Sequence, residues 1–234
     1  MTDQRSTGSR GQILGAVRRS LKRDPADGAA EADRRIAERP QGPAVQRARL
    51  GHDALVALFV EKVEAVQGSV ARVETAEALP EAVADYLKRH NLPPALRLAP
   101  DPALTGLPWQ ERAPMLSVAA GRAEAEDAVS LTGGFAGIAE TGTLMLLSGP
   151  EGPTTLNFLP ETHLVVLRES DLVGPYEEAW QRLRAEGLSA EGGLPRTVNF
   201  ITGPSRTGDI EQKIQLGAHG PRRLHVLLVA DRPG

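Results

Sequence analysis

Three near-continuous apolar runs most constrain the fold that this chain can adopt. They occupy residues 144–147, 164–167 and 224–230, and they lack the polar alternation of a strand with one solvated face. Such runs suit strands that are covered on both faces, as in a parallel sheet flanked by helices. The runs therefore predict an α/β fold built on a mainly parallel sheet.

Amphipathic segments around these runs predict the helices. Residues 53–67 and 80–90 each place apolar side chains on one helical face, and residues 69–73 between them alternate like a short strand. Another helix is predicted from Tyr176, where apolar residues recur at i, i+3, i+4 and i+7, and Gly187 can end it. With 234 residues and 41% hydrophobic content, the chain can form one main domain.

The last part of the chain predicts a strand–helix–strand unit. Residues 197–202 form the first strand, residues 208–217 form the helix, and the apolar run at 224–230 forms the second strand. Ligands of open α/β sheets lie beyond the carboxyl ends of the strands, where loops lead into helix N-termini. We therefore expect the loop between the first strand and the helix to form a ligand site.

The first 50 residues differ in composition from the rest. They carry a net charge of +5, whereas residues 51–234 carry −8. Residues 11–22 form an apolar helical stripe, and residues 24–51 are rich in Pro and Gly with little periodicity. The sequence predicts a basic helical and linker arm over 1–50 and an α/β domain over 51–234. Because acidic residues are interleaved in the arm and it has no aromatics for stacking, a solvated arm or a partner contact is favoured over nucleic-acid binding.

The chain contains no cysteine. It therefore carries no disulfide, no thiolate nucleophile and no cysteine-ligated zinc or iron–sulfur cluster. Residues 1–11 are polar, unlike a signal peptide, and no apolar run approaches the roughly 18 residues of a membrane span. We expect a cytoplasmic protein without membrane contact.

The segment TGPSRTGDIE concentrates groups that bind anions. Ser205 and Thr207 offer hydroxyl donors, and the planar guanidinium of Arg206 can hold a carboxylate or phosphate with two hydrogen bonds. Gly203 gives the backbone freedom to turn. Asp209 lies at the predicted helix start, where free N–H groups and the helix dipole favour an anion.

An alternative interpretation of this segment remains open. Ser205 or Thr207 would cap the helix, and Arg206 would pair with Asp209 or Glu211 on the surface. The spacing alone favours neither interpretation, because hydroxyl caps are common.

A second candidate stretch reads GFAGIAETGTLMLL. Gly137 and Gly142 allow the backbone to pass close to a ligand, and Glu140 lies between them with Thr141 and Thr143 beside it. A carboxylate near apolar walls can serve as a base or nucleophile. The alternative is an exposed turn in which the glycines only change the chain direction.

The histidines of the domain show no metal-binding spacing, so we expect no metal site. His219 and Gly220 precede the last strand, on the edge of a purely parallel sheet that lies opposite the ligand edge. His219 is either structural or reaches a site from a partner chain, and His163 belongs to the same non-ligand edge. His225 starts the last strand and is expected to be packed.

Four segments in this order resemble the LUD-domain family, in particular its lactate-utilisation protein C (LutC) branch. The pair GPSRTxDIE and GxHGP is the most specific part of the resemblance, and Gly208 departs from the family, where Ala is more usual. The segments are GIAETGTLML (137–146), LPETHLVVL (159–167), FITGPSRTGDIE (200–211) and LGAHGPRRLHVLL (216–228).

The resemblance implies the fold of ribose-5-phosphate isomerases, glucosamine-phosphate deaminases and coenzyme A transferases. It also implies a role in oxidising L-lactate to pyruvate beside two iron–sulfur partner subunits of the LutA and LutB kind. The clusters would be carried by those partners, with no cofactor in this chain. What this subunit itself catalyses is not settled by the resemblance.

We therefore expect the chain to bind a small anion, lactate or a phosphate-bearing molecule, with Arg206 as clamp, Glu140 nearby, and Glu211, His219 and Gly220 in support. One alternative is a stand-alone transferase or isomerase that acts on a phosphorylated or acyl substrate, with Glu140 as base or nucleophile. Another is an interaction module that uses the basic arm. A homo-oligomer is also compatible with the sequence.

Overall fold

The computed structural model describes residues 4–21, 25–38, 50–187, 193–210 and 213–230. The chain divides into two compact units, residues 1–43 and residues 44–234. The helices of the described ranges are α1 (Gln4–Leu21), α2 (Pro25–Glu38), α3 (His52–Ala65), α4 (Leu79–Arg89), α5 (Pro102–Thr105), α6 (Trp109–Arg112), α7 (Thr155–Phe158) and α8 (Tyr176–Ala185). The strands are β1 (Ser69–Val73), β2 (Ala95–Leu98), β3 (Ser117–Ala120), β4 (Val129–Gly133), β5 (Ala136–Ile138), β6 (Thr143–Leu147), β7 (Thr162–Arg168), β8 (Leu172–Val173), β9 (Val198–Ile201), β10 (Arg206–Ile210), β11 (Lys213–Leu216) and β12 (Arg223–Val229).

The first unit contains two helices where the sequence predicts one helix and a linker. The helix predicted over 11–22 is the C-terminal part of α1. The linker prediction is wrong for residues 25–38, which form α2. Pro25 begins this helix, and Arg34 pairs with Glu31 at 2.8 Å and with Glu38 at 2.6 Å. Pairs at i,i+3 and i,i+4 stabilise an alanine-rich helix even where the apolar periodicity is weak.

The second unit is built on a six-stranded parallel sheet with the order β1-β12-β7-β4-β2-β3. Every strand pair in it is parallel. The apolar runs at 164–167 and 224–230 belong to β7 and β12, which are neighbouring interior strands of this sheet, as their composition predicts. The α/β fold with a mainly parallel sheet is therefore confirmed.

The apolar run at 144–147 lies elsewhere. It forms β6, which belongs to a separate four-stranded sheet with the order β8-β5-β6-β9. In this sheet β6 is antiparallel to both β5 and β9. The run is buried on both faces because α8 covers one side of this sheet, where Ala179 and Leu183 pack against Ile138 and Met145, and the parallel sheet and α3 cover the other.

The parallel sheet separates two apolar clusters. On one face Val83 and Leu87 of α4 pack with Leu131, Leu164 and other residues of the sheet. On the opposite face Phe59 and Val63 of α3 pack with Val165, Val226 and the inner side of the four-stranded sheet. None of the helices in the described ranges is both long and apolar enough to cross a membrane.

The strand–helix–strand prediction for the last part of the chain is wrong. Strands β10 (Arg206–Ile210) and β11 (Lys213–Leu216) pair antiparallel, where the sequence predicts a helix over 208–217. The first strand of the predicted unit, β9, belongs to the four-stranded sheet and β12 to the parallel one. Ile210 and Ile214 have helical spacing whereas Ile214 and Leu216 alternate, so the periodicity of this short segment does not decide between helix and strand.

Candidate functional site

One cavity brings together several residues that the sequence predicts to bind a ligand. It has a volume of about 290 Å³ and opens between the loop after β9 and the loop before β12. We call it the amino-edge cavity, because His163 and Leu224, the second residues of β7 and β12, lie in its wall. Its lining consists of residues 157, 158, 163, 200–206, 219–221 and 224.

The position of this cavity corrects the predicted edge of the sheet. The sequence places the Ser205–Arg206 loop at the carboxyl ends of parallel strands and His163 and His219 at the opposite edge. In the structure His163 and His219 line the same cavity as Ser205 and Arg206. The reason is that β9 belongs to the four-stranded sheet, where it runs antiparallel to β6, so its end meets the amino ends of the parallel strands β7 and β12.

Backbone hydrogen bonds hold the two loops of the cavity together. The Ser205 N–H donates to the Pro221 carbonyl at 2.8 Å, and the Gly217 N–H donates to the Ser205 carbonyl at 2.8 Å. The Ser205 hydroxyl oxygen also accepts from the His219 N–H at 3.4 Å. Gly220 packs so closely on Ser205 that an added Cβ would lie 3.4 Å from the Ser205 Cβ. The GPSR and GAHGP segments therefore form one wall, although 14 residues separate Ser205 from His219.

Arg206 begins β10 at the rim of the cavity, and its side chain is exposed. Among the side chains that the structure describes, which do not include those of residues 208–215, no carboxylate lies within ion-pairing distance of its guanidinium. Thr207 and Asp209 follow on β10; Thr207 does not belong to the lining of the cavity, and the side chain of Asp209 lies outside the described residues. Glu211 lies outside the described residues. Since no helix follows the loop, the predicted contribution of a helix N-terminus to anion binding is withdrawn.

His163 is the most deeply buried polar group of the cavity. Its side chain is 0% exposed, and its Nε2 lies 2.8 Å from the Thr132 hydroxyl oxygen. Its Nδ1 has no hydrogen-bond partner within the described part of the chain. Burial lowers the pKa of His163 to about 3, because an imidazolium in this position would lose its hydration. The cavity thus combines a cationic rim with a neutral imidazole in its wall.

A cluster of hydroxyl groups connects the second candidate stretch to the cavity. Thr143 is fully buried, and its hydroxyl lies 2.7 Å from that of Thr141, 2.9 Å from that of Tyr176 and 2.7 Å from that of Thr202. Thr202 itself lines the cavity, as does Phe200, whose ring lies 5.4 Å from that of Tyr176. Thr141 and Thr143 therefore do not line the cavity, but their hydroxyls are hydrogen-bonded to its wall through Thr202.

Glu140 lies in the turn between β5 and β6. It is half-buried, and its backbone N–H donates to the Gly174 carbonyl at 3.2 Å. Gly137 lies on β5 and is buried. Neither residue lines the amino-edge cavity, so their predicted role in ligand binding stays a prediction.

Two glycines of the candidate set have a packing reason for their identity. Gly142 has φ +67°, and an added Cβ would lie 2.5 Å from the backbone nitrogen of Val63 in α3. Gly203 has φ +74°, and an added Cβ would lie 2.6 Å from the Val66 carbonyl oxygen just after α3. Both positions combine a left-handed backbone with a close approach to α3, which glycine alone accommodates without strain. In both cases the missing side chain makes room for α3.

A second cavity lies at the carboxyl ends of β2 and β4. It has a volume of about 370 Å³ and is lined by residues 101, 132–135, 146–152 and 157. The charged groups in its wall are Asp101, which accepts a hydrogen bond from the Ala103 N–H at 2.8 Å, and Glu151. It contains none of the residues predicted for the site, and its carboxylates do not suit an anion.

Sequence reasoning missed the hydrogen bonds behind the wall of the amino-edge cavity. Thr132 of β4 contacts His163 of β7, and Tyr176 of α8 contacts Thr143, which contacts Thr202 just after β9. Thr132 and Tyr176 themselves do not line this cavity.

The sequence placed His163 at the amino edge of the sheet, where it lies, but it placed the Ser205–Arg206 loop at the opposite edge and so left His163 out of the site. The pair Thr162–His163 at the start of an apolar run could have indicated a buried histidine, and a buried histidine needs a hydrogen-bond partner.

A family comparison covers most of the chain. The LUD domain family matches residues 56–229. A crystal structure of a DUF162 family protein from Deinococcus radiodurans has a similar fold, with a TM-score of 0.53 and 25% sequence identity. That similarity covers 77% of this chain and 99% of the Deinococcus chain.

Curated relatives match over a shorter segment. An uncharacterized protein of Neisseria meningitidis serogroup B is 43% identical over 98 residues, which are 42% of this chain and 40% of that protein. Lactate utilization protein C of Geobacillus thermodenitrificans is 36% identical over 95 residues, 41% of this chain and 39% of the relative. The protein of that name from Bacillus subtilis is 34% identical over 98 residues, 41% of this chain and 39% of the relative. The chain thus covers about two-fifths of the length of these relatives.

Proposed function

Because this chain belongs to the LUD domain family, we propose that it is a component of a lactate-utilisation system. In that role it binds a small anionic ligand in the amino-edge cavity. The names of the Geobacillus and Bacillus relatives support the assignment to lactate utilisation. The proposal extends those names to a chain that they match over about two-fifths of their length.

The convergence of Ser205, Arg206, His219 and Gly220 on one cavity carries the ligand-binding part of the proposal. A guanidinium at the rim supplies a positive charge and a planar fork that matches a carboxylate or phosphate. The hydroxyl of Ser205 adds a donor from the same loop. The candidate ligands are L-lactate, pyruvate and a phosphate-bearing molecule.

We assign the redox step to partner chains. This sequence has no cysteine to ligate an iron–sulfur cluster, so clusters would be held by iron–sulfur subunits of the LutA and LutB kind. In this arrangement the chain described here binds and positions the ligand. Mixing the purified chain with such subunits and measuring lactate oxidation with and without it tests this assignment.

The alternative of a stand-alone transferase or isomerase has less support from the geometry. It requires Glu140 beside the reacting atoms, whereas Glu140 is absent from the lining of the amino-edge cavity. The groups near that turn that connect to the cavity wall are hydroxyls: Thr141 contacts Thr143, and Thr143 contacts Thr202. We therefore favour the binding role.

The test of the binding role is the substitution of Arg206. Arg206→Ala should weaken the binding of the preferred anion by about 10- to 100-fold, as expected for a charge-assisted hydrogen bond worth about 1.5–3 kcal/mol. Arg206→Lys should also weaken binding, because an ammonium keeps the charge but loses the two-pronged geometry. Isothermal titration calorimetry with L-lactate, pyruvate and inorganic phosphate gives the affinities.

Arg89→Ala is the matched control. Arg89 is an exposed arginine at the end of α4, and its Nε donates to the Asp85 carbonyl at 3.3 Å. Its removal should leave the affinity for all three anions unchanged. If Arg206→Ala and Arg89→Ala behave alike, the rim of the cavity does not bind the anion and the proposal fails.

A further inference from the structure

His163 occupies a position where an unused hydrogen-bonding atom is costly. In the register of the parallel sheet it lies between Ser130 of β4 and Leu224 of β12, so these three side chains project from the same face. Leu224 and His163 both line the amino-edge cavity. The imidazole is 0% exposed, and its Nδ1 lacks a protein partner in the described ranges. A buried polar atom left without a partner costs free energy, and in ligand sites it is commonly satisfied by the ligand or an ordered water.

The bond to Thr132 leaves two tautomers open. When the Thr132 hydroxyl donates to Nε2, the proton of the neutral imidazole is on Nδ1, which is then a donor. When Nε2–H donates to the Thr132 oxygen, Nδ1 is an acceptor instead. Because burial keeps the pKa of His163 at about 3, both tautomers are neutral at ordinary pH.

We infer that His163 recognises the oxygen at the 2-position of a short 2-hydroxy or 2-oxo carboxylate through Nδ1. As an acceptor, Nδ1 suits a 2-hydroxyl group, and as a donor it suits a 2-oxo group. One residue therefore accommodates both the alcohol and the ketone of an oxidation pair. The inference rests on the proposed function, because it places the ligand's carboxylate at Arg206 and Ser205.

The rest of the lining fits a ligand whose carboxylate lies at the rim, whose 2-oxygen lies at His163 and whose alkyl end contacts apolar side chains. A neutral imidazole gives no charge attraction to a carboxylate, whereas the guanidinium at the rim does. Leu224, Pro221 and Phe200 supply apolar surface for the short alkyl end. The ligand class that matches all three features has one carboxylate, one oxygen on the adjacent carbon and a small apolar group.

The test compares three acids that differ only at the 2-position. L-Lactate carries a hydroxyl group there, pyruvate an oxo group and propionate only hydrogen. Calorimetry at one pH should show L-lactate and pyruvate binding about tenfold more tightly than propionate to the unmodified chain, as expected for one hydrogen bond to an otherwise unsatisfied buried group. In His163→Met this preference should disappear while propionate binds as before.

His225→Met is the matched control. His225 is also buried, at 4% exposure, and its Nε2 also lacks a partner among the described residues, but its ring stacks on Tyr86 at 4.1 Å and does not line the cavity. This variant should keep the preference for the 2-oxygenated acids. If His163→Met does not fold, nitrogen-15 NMR of the unmodified chain replaces it. The His163 Nδ1 resonance should then shift with L-lactate and with pyruvate in opposite senses, toward acceptor and toward donor, and stay in place with propionate.

The outcomes separate the two proposals. If all three acids bind with equal affinity and Arg206→Ala weakens them all, the anion site stands and the assignment of His163 is overturned, with Nδ1 satisfied by an ordered water. If none of the acids depends on Arg206, the proposed function itself fails. If the preference is present but survives in His163→Met, another group recognises the 2-oxygen and the inference is overturned.

Discussion

His163 and His225 are both held neutral by burial within the parallel sheet. Burial lowers the pKa of His163 to about 3. The pKa of His225 is lowered to about 4, mainly by burial and further by the positive charges of His90 and Arg89. Each imidazole keeps one partner, the Thr132 hydroxyl for His163 and the Ser69 hydroxyl, at 2.8 Å, for His225. Folding therefore requires two histidines to give up protons that they would hold in mildly acidic water.

This requirement predicts a loss of stability on acidification. The unfolded chain binds protons at these histidines near pH 6.5, whereas the folded chain does so only near pH 3 and 4. Between pH 6.5 and about 4 the unfolded state thus binds more protons, and the free energy of unfolding falls as the pH falls. Each histidine contributes at most about 1.4 kcal/mol per pH unit. Urea denaturation at pH 7, 6 and 5 measures the slope.

The slope can be assigned by substitution. His225→Gln should reduce the loss of stability between pH 6 and 5, because an amide does not titrate in this window. His219→Gln serves as control, since His219 is exposed. Equal slopes for the unmodified chain and His225→Gln would show that His225 is not buried in its neutral form.

At the residue scale the hydroxyl of Ser205 and the guanidinium of Arg206 predict an anion-binding loop. Both residues line the amino-edge cavity, and anion binding itself stays a prediction. The sequence could not predict that Thr132 would hold His163. That contact joins β4 and β7, which are 31 residues apart along the chain, and depends on a sheet register that the sequence does not reveal.

Helix α3 packs against the two candidate loops, the turn between β5 and β6 and the GPSR loop. Gly142 and Gly203 approach its last turns from two different strand ends, and both have positive φ. The helix thereby fixes the turn between β5 and β6 and the start of the GPSR loop in one arrangement. The loops of the site depend on this close packing.

Gly142→Ala tests that dependence. An alanine would have to adopt φ +67°, which costs about 1–3 kcal/mol, and its Cβ would meet the backbone of Lys62 and Val63 at 2.6 and 2.5 Å. We expect the free energy of unfolding to fall by at least this backbone cost. Gly149→Ala is the control, because nothing lies within 4 Å of its added Cβ, and it should change stability by less than about 0.5 kcal/mol. Similar values from chemical denaturation of the two variants would contradict the account.

Elements were predictable where burial alone decides them. The runs of β7 and β12 are apolar because both faces of the sheet are covered, and that property is local to the sequence. The run of β6 has the same composition but belongs to the other sheet, where it pairs with β5 and β9. An apolar run does not indicate which strand it will pair with. The sequence predicted a helix in place of the β10–β11 hairpin because the apolar residues of this short segment fit both the helical spacing and the alternation of a strand.

At the scale of the whole molecule, the buried apolar clusters lie between Val56 and Val229. The matched LUD domain covers the same span, residues 56–229. We therefore predict that deleting residues 1–50 leaves a protein with a single cooperative thermal transition. Differential scanning calorimetry of the truncated chain measures it, and a broad transition without an enthalpy peak would refute the prediction.

The central claim is that the amino-edge cavity holds a small carboxylate between Arg206 and His163. A crystal structure of the full chain with L-lactate at saturating concentration tests it most directly. We expect density in this cavity, with the carboxylate within hydrogen-bonding distance of the Arg206 guanidinium and the 2-hydroxyl oxygen near His163 Nδ1. Lactate bound instead in the cavity at the carboxyl ends of β2 and β4, or an amino-edge cavity that contains only water under these conditions, would contradict it.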